Sequence, residues 1–76
     1  MKLLKDVLFE NALYHKDEYN RFYKELGEFD RLTCIEFSKY LAIWTIINEA
    51  GLVSEWDEYI KRVFIIREEY KQMQEA

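Results

Sequence analysis

The sequence predicts an all-α fold: a compact three-helix bundle that runs up, down and up, with the central helix sandwiched between the outer two. The chain has 76 residues, no proline and only two glycines, at positions 27 and 51. Because glycine and proline interrupt helices most often, their scarcity favours long helices joined by two turns. Half of the residues are hydrophobic, which argues against intrinsic disorder. We therefore expect residues 1–76 to form one helical domain, with helices at about 3–26, 34–50 and 55–74.

The central helix is predicted from residues 34–50, the most apolar segment of the chain. When its residues are placed about 100° apart, the apolar side chains cover roughly two-thirds of the circumference, about twice the width of an ordinary surface stripe. These side chains are Ile35, Phe37, Tyr40, Leu41, Ile43, Trp44, Ile46, Ile47 and Ala50. A helix with so wide an apolar arc requires neighbours on at least two sides.

Local signals mark both ends of this helix. Thr33 and Glu36 have the spacing of a capping box, which places the N-cap at Thr33. Asp30 is an alternative N-cap and would start the helix a few residues earlier. At the other end, Gly51 suits the left-handed position after the last turn, and Leu52 is expected to fold back onto that turn in a Schellman ending.

The first helix is predicted over residues 3–26 from an apolar stripe with helical spacing. The stripe comprises Leu4, Val7, Leu8, Ala12, Tyr19, Phe22, Tyr23 and Leu26. Asn11 and His15 share this face, whereas Phe9 and Leu13 lie outside it. An alternative is that Asp17 caps a separate helix and splits the element in two. In the linker that follows, Phe29 is expected to pack against the end of the bundle.

The last helix is predicted over residues 55–74, with Ser54 as its N-cap and acidic residues in its first turn. Its apolar residues have the alternating spacing of three and four that is typical of a heptad seam. The seam residues are Trp56, Tyr59, Val63, Ile66, Tyr70 and Met73. Phe64 and Ile65 point away from this seam. Since Phe9 and Leu13 also lack an assigned place, we expect all four to form an interface, most simply in a homodimer.

The composition excludes several classes of function. A net charge of −4 disfavours direct binding to nucleic acid or to an anionic membrane surface. The chain has one cysteine, no apolar segment long enough to span a membrane, and no signal-peptide core near its start, so we expect a cytoplasmic location. No cofactor is expected, because phosphate-binding glycine loops and paired-cysteine motifs are absent from the sequence.

His15 and Cys34 are the residues with the most chemical potential. His15 is the only histidine, and a metal site needs three or four ligands. We interpret it as a polar residue that is partly buried against a neighbouring helix, with Asn11 as its partner. Cys34 lies at the start of the predicted central helix, a position where thiols are often reactive, but the sequence places no base beside it. We predict no catalytic and no metal-binding residue.

The function that these observations favour is non-catalytic. We expect a small cytoplasmic protein that contacts itself or another protein through helix faces, as adaptors and regulators do. An alternative is an acidic decoy or inhibitor of a nucleic-acid-binding protein, which would require the carboxylates to gather on one exposed face. Less favoured is an enzyme subunit, which would require a polar pocket around His15 or Cys34.

Overall fold

The structure, a computed structural model, describes residues 3–75, which form three α-helices without any strand in that range. Helix α1 spans Leu4–Leu26, α2 spans Arg31–Glu49 and α3 spans Val53–Glu75. Helix α2 runs antiparallel to α1, since His15 pairs with Glu36 whereas the earlier Ala12 shares the core with Ile47. Helix α3 runs parallel to α1, since Phe9 packs on Tyr59 and, further along both helices, Asp17 pairs with Arg67. The predicted all-α, three-helix, up-down-up fold is confirmed.

Helix α1 is continuous, so the split considered at residues 15–18 does not occur. The helix ends at Gly27, whose N–H donates to the carbonyl oxygen of Tyr23 at 3.0 Å. Gly27 has φ 97° and ψ 165°, a backbone conformation that is almost exclusive to glycine. The residue type at position 27 therefore fixes where α1 ends.

Helix α2 begins three residues earlier than the sequence prediction, because its N-cap is Asp30. The carboxylate oxygen of Asp30 accepts a hydrogen bond from the backbone N–H of Leu32 at 2.9 Å. The cap predicted at Thr33 is therefore wrong, and the alternative at Asp30 is correct. Aspartate and threonine are both good caps. Thr33 instead lies inside the first turn, where it is fully buried.

The C-terminal end of α2 has the predicted Schellman geometry. Gly51 has φ 72°, and its N–H donates to the carbonyl of Asn48 at 3.1 Å. The N–H of Leu52 donates to the carbonyl of Ile47 at 3.0 Å, and the Leu52 side chain packs against the core. Helix α3 follows at once from Val53, so Ser54 lies within its first turn and is not the N-cap.

The core is small and is made by all three helices. Its buried apolar residues are Phe9, Ala12, Ile47 and Trp56. Half-buried side chains surround them, namely Leu8, Leu13, Tyr40, Ile43, Trp44, Leu52, Tyr59 and Ile60. Burial raises the pKa of Tyr40, an effect that a hydrogen bond from Trp56 partly offsets, so α2 and α3 also meet here. Helix α2 thus contacts both neighbours.

Candidate interaction surface

The heptad seam of α3 is packed at one end and open at the other. Trp56 is buried, and Tyr59 and Val63 are half-buried. The next three seam positions, Ile66, Tyr70 and Met73, are 63%, 62% and 75% exposed. We call these three residues the open seam. The spacing in the sequence is the same along the whole helix, so periodicity alone did not reveal where packing within the chain stops.

The four residues predicted as an interface have different environments. Phe9 is only 3% exposed, and its ring packs edge-on against Trp56 with 5.5 Å between centroids. Its assignment to an exposed interface was wrong, because α1 packs against α3 as well as α2 and therefore has two inward sides. Leu13 is half-buried against the core, whereas Phe64 and Ile65 are exposed.

The structure brings two of these residues together. Leu13 and Phe64 line a groove of 120 Å³ between α1 and α3. Arg67 lines the same groove and forms a two-pronged ion pair with Asp17, at 3.0 and 2.8 Å. The hydrogen bond to Asp17 raises the pKa of the Arg67 guanidinium above its ordinary value. This pair joins α3 to α1 level with the start of the open seam.

A second depression lies on the other side of the α1–α3 contact. Its part nearest the open seam has a volume of 300 Å³ and is lined by Asp6, Tyr59, Arg62, Val63 and Ile66. A larger part, of 600 Å³, continues towards the start of α1 and includes Leu3, which is 65% exposed. We call the two parts together the α1–α3 hollow. Tyr59 and Arg62 line both parts, so the two parts form one elongated depression beside α3.

His15 bridges α1 and α2 through Glu36, a partner that the sequence reasoning missed. The ring Nδ1 lies 2.7 Å from the Glu36 carboxylate, and the side chains are only 19% and 13% exposed. This hydrogen bond lowers the pKa of Glu36. The amide of Asn11, the partner expected for His15, donates to the carbonyl of Val7 instead.

The pair connects α1 to α2 through one short contact of 2.7 Å. Within residues 3–75, no group of three His, Cys, Asp or Glu side chains has the arrangement of a metal site. His15 is half-buried and contacts the neighbouring helix α2, as the sequence predicted. The sequence alone does not pair His15 with Glu36, because the pairing depends on the antiparallel register of α1 and α2.

Cys34 is exposed at the start of α2, with its Sγ 3.7 Å from the carbonyl oxygen of Glu28. It lines a hollow of 310 Å³ together with Phe29 and Phe37. Phe29 is 90% exposed, so the packing predicted for it was wrong. The connection closes tightly, with the N–H of Asp30 bonded to the carbonyl of Gly27 at 3.4 Å, and this leaves the ring of Phe29 outside the bundle.

The described carboxylates are spread over the three helices, and basic side chains lie between them. Glu18 pairs with Arg21 within α1, and Glu58 pairs with Lys61 within α3. Glu55 of α3 lies 3.5 Å from Lys5 of α1. This distribution does not favour the acidic-decoy hypothesis.

None of the helices in the described part of the chain combines the length and apolarity needed to cross a membrane. Comparison with known proteins adds no family, since no family model, curated protein or solved structure matches the chain. Fold and surface therefore define the class of this protein as a three-helix all-α protein with an open apolar seam.

Proposed function

We propose that this protein is a small, non-catalytic, cytoplasmic interaction protein that contacts a protein partner through the open seam of α3. The observation that carries the proposal is the continuation of one heptad seam from the core into solvent. The same spacing that buries Trp56 and leaves Val63 half-buried presents Ile66, Tyr70 and Met73 to a partner.

The composition of this surface supports the proposal. Isolated exposed apolar residues are ordinary, whereas adjacent ones on a single helix face are typical of protein–protein contacts. Tyrosine, methionine and arginine are enriched at interface cores, and the open seam contains Tyr70 and Met73 with Arg62 beside it. Ile65 is a further exposed apolar residue of α3, outside the open seam. The partner is either another protein, as for an adaptor or regulator, or a second copy in a homodimer.

Site-specific photo-crosslinking in the cells that make the protein tests the proposal. A benzophenone amino acid at Tyr70 places the reactive group on the open seam. The same amino acid at Gln72 is the matched control, since that residue is also exposed but lies about 160° around the helix. We expect a discrete crosslinked protein from position 70 and none from position 72. Identical crosslinking patterns at the two positions, or no product from position 70, would contradict the proposal.

A further inference from the structure

We infer that the partner is a second copy of this chain, paired antiparallel along α3, so that the open seam of each copy fills the α1–α3 hollow of the other. This inference rests on the proposed function and specifies its partner. Three properties of the chain lead to it: its excess surface, its self-complementary shape and the charges beside the seam.

The surface area is larger than that of a typical monomer. The chain exposes 6048 Å² at a mass of 9.4 kDa. A folded monomer of that mass exposes about 5,000 Å², so the excess is about 1,000 Å². A standard interface buries about 800 Å² on each partner. The radius of gyration of 14.1 Å also exceeds the roughly 11 Å typical of this length. One symmetric interface would therefore account for the excess surface.

The shape of α3 is complementary to itself. The open seam at Ile66, Tyr70 and Met73 and the part of the hollow lined by Tyr59 and Val63 follow one another along one helix and adjoin at Ile66, which also lines the hollow. A two-fold axis between Val63 and Ile66 places the open seam of one copy over the hollow of the other. Such an interface uses the same patch on both copies and closes on itself.

In this register the individual contacts follow the antiparallel heptad pairing. Ile66 meets Val63 of the second copy, and Tyr70 meets Tyr59 of the second copy. Met73 reaches the wider part of the hollow, where Leu3 of the second copy is exposed among the charged side chains of Lys5, Asp6, Glu55 and Glu58. The contact thus covers the exposed Leu3, next to the start of α1, as well as the open seam of α3.

The charges beside the seam select the antiparallel direction. Arg62 and Glu69 are seven residues apart and lie on the same edge of the seam. An antiparallel pair brings Arg62 of each copy to Glu69 of the other, forming two symmetric ion pairs. A parallel pair instead brings Arg62 towards Arg67 of the other copy, and like charges repel. Neither Arg62 nor Glu69 takes part in the ion pairs described within the chain, whereas Arg67 is paired with Asp17.

The mass of the purified full chain in solution is the first test. Light scattering after size-exclusion chromatography should give twice 9.4 kDa for the unaltered protein at high micromolar concentration. Ile66→Glu should give a monomer, and the matched control Gln72→Glu should remain a dimer. Circular dichroism verifies that both variants stay helical. If the unaltered protein is a monomer, the second copy is excluded, while a crosslink from Tyr70 to a different protein would still support the proposed function.

Charge reversal tests the register without removing apolar surface. Arg62→Glu and Glu69→Arg should each raise the dimer dissociation constant about tenfold, because each change turns two attractions into repulsions. The double variant should return to within about twofold of the original value. Additive losses in the double variant would overturn the antiparallel register.

A spin-label distance provides an independent readout of direction. A label at Gln74→Cys, in a chain whose own thiol is removed by Cys34→Ser, should show an inter-label distance of about 28 Å along the axis of an antiparallel pair. A parallel pair would give roughly 10–15 Å. The short distance would overturn the inference.

Discussion

At the scale of single residues, Thr33 carries the buried polar atom that no hydrogen bond satisfies among the described residues. The side chain is fully buried, yet its hydroxyl performs none of the capping that the sequence suggested. Burying an unpaired hydroxyl costs free energy, whereas its methyl group contributes packing. The methyl group of Thr33 therefore stabilises the folded state, whereas its unpaired hydroxyl destabilises it.

Thr33→Val should raise the free energy of unfolding by about 1 kcal/mol, because valine keeps the shape and removes the unpaired hydroxyl. Thr33→Ala should instead lower it by about 1 kcal/mol, since a methyl-sized gap is left in the contact. Urea denaturation followed by tryptophan fluorescence measures both changes. A loss of stability in Thr33→Val as large as in Thr33→Ala would show that the hydroxyl has a hydrogen-bond partner.

The His15–Glu36 pair makes stability depend on pH in the acidic range. The hydrogen bond from His15 lowers the folded-state pKa of Glu36 below its ordinary value of 4.5. A carboxyl with a depressed pKa contributes stability above its unfolded-state pKa and loses it as pH falls through the folded-state value. The unfolding free energy of the wild type should therefore exceed that of Glu36→Gln at neutral pH, and the difference should shrink below about pH 4.5. Urea melts across this range test it. In a His15→Ala background the pH-dependent difference should largely disappear, and an unchanged difference would contradict the assignment.

At the scale of helices, two glycines end α1 and α2 with different backbone conformations. Gly27 has φ 97° with ψ 165°, and Gly51 has φ 72° within a Schellman ending. A built Cβ at either position meets no atom within 4 Å, so the cost of a side chain is conformational and not steric crowding by neighbours. Left-handed backbone is costly for alanine, and the region that Gly27 occupies is still less accessible to it.

Gly51→Ala should therefore lower the free energy of unfolding by about 1–2 kcal/mol, and Gly27→Ala by about 2–3 kcal/mol. Gly51→Asn should be milder than Gly51→Ala, because asparagine tolerates the left-handed region. Thermal and urea melts of the three variants rank them. Equal losses of unfolding free energy for Gly27→Ala and Gly51→Ala would argue against a difference in backbone conformation between the two glycines.

The ends of α2 show what local sequence is able to predict. Gly51 and Leu52 were assigned correctly because a Schellman ending is formed by consecutive residues alone. The N-terminal end was harder, since Asp30 and Thr33 are both strong caps and the choice depends on tertiary packing. Burial of Thr33 against the bundle decides it in favour of Asp30.

At the scale of the whole molecule, the sequence predicted three helices and their directions but not the rotation of each helix. The apolar stripe assigned to α1 included Leu4 and Val7, which are exposed, and left out Phe9, which is buried. Periodicity identifies apolar faces, whereas the neighbour available to each face depends on how all three helices pack. The open seam was missed for the same reason, because Ile66 continues the pattern of Val63 without sharing its contacts.

The thin core makes stability depend strongly on a few residues. For this length the total stability is about 4–11 kcal/mol, and Phe9 contacts both Trp56 and Tyr59. Phe9→Ala should lower the free energy of unfolding by about 3–5 kcal/mol, because it removes a buried ring from that cluster. Phe64 is the same residue type at 64% exposure and provides the matched control.

Phe64→Ala should change the free energy of unfolding by less than about 1 kcal/mol, because most of its ring is already in water. If Phe9→Ala does not fold, Phe9→Leu provides the measurement, with an expected loss of about 1–1.5 kcal/mol. Urea melts at a single chain concentration compare all three variants with the wild type. Equal losses at positions 9 and 64 would place both rings in one interface, as the sequence suggested, and would contradict the division into a buried Phe9 and an exposed Phe64.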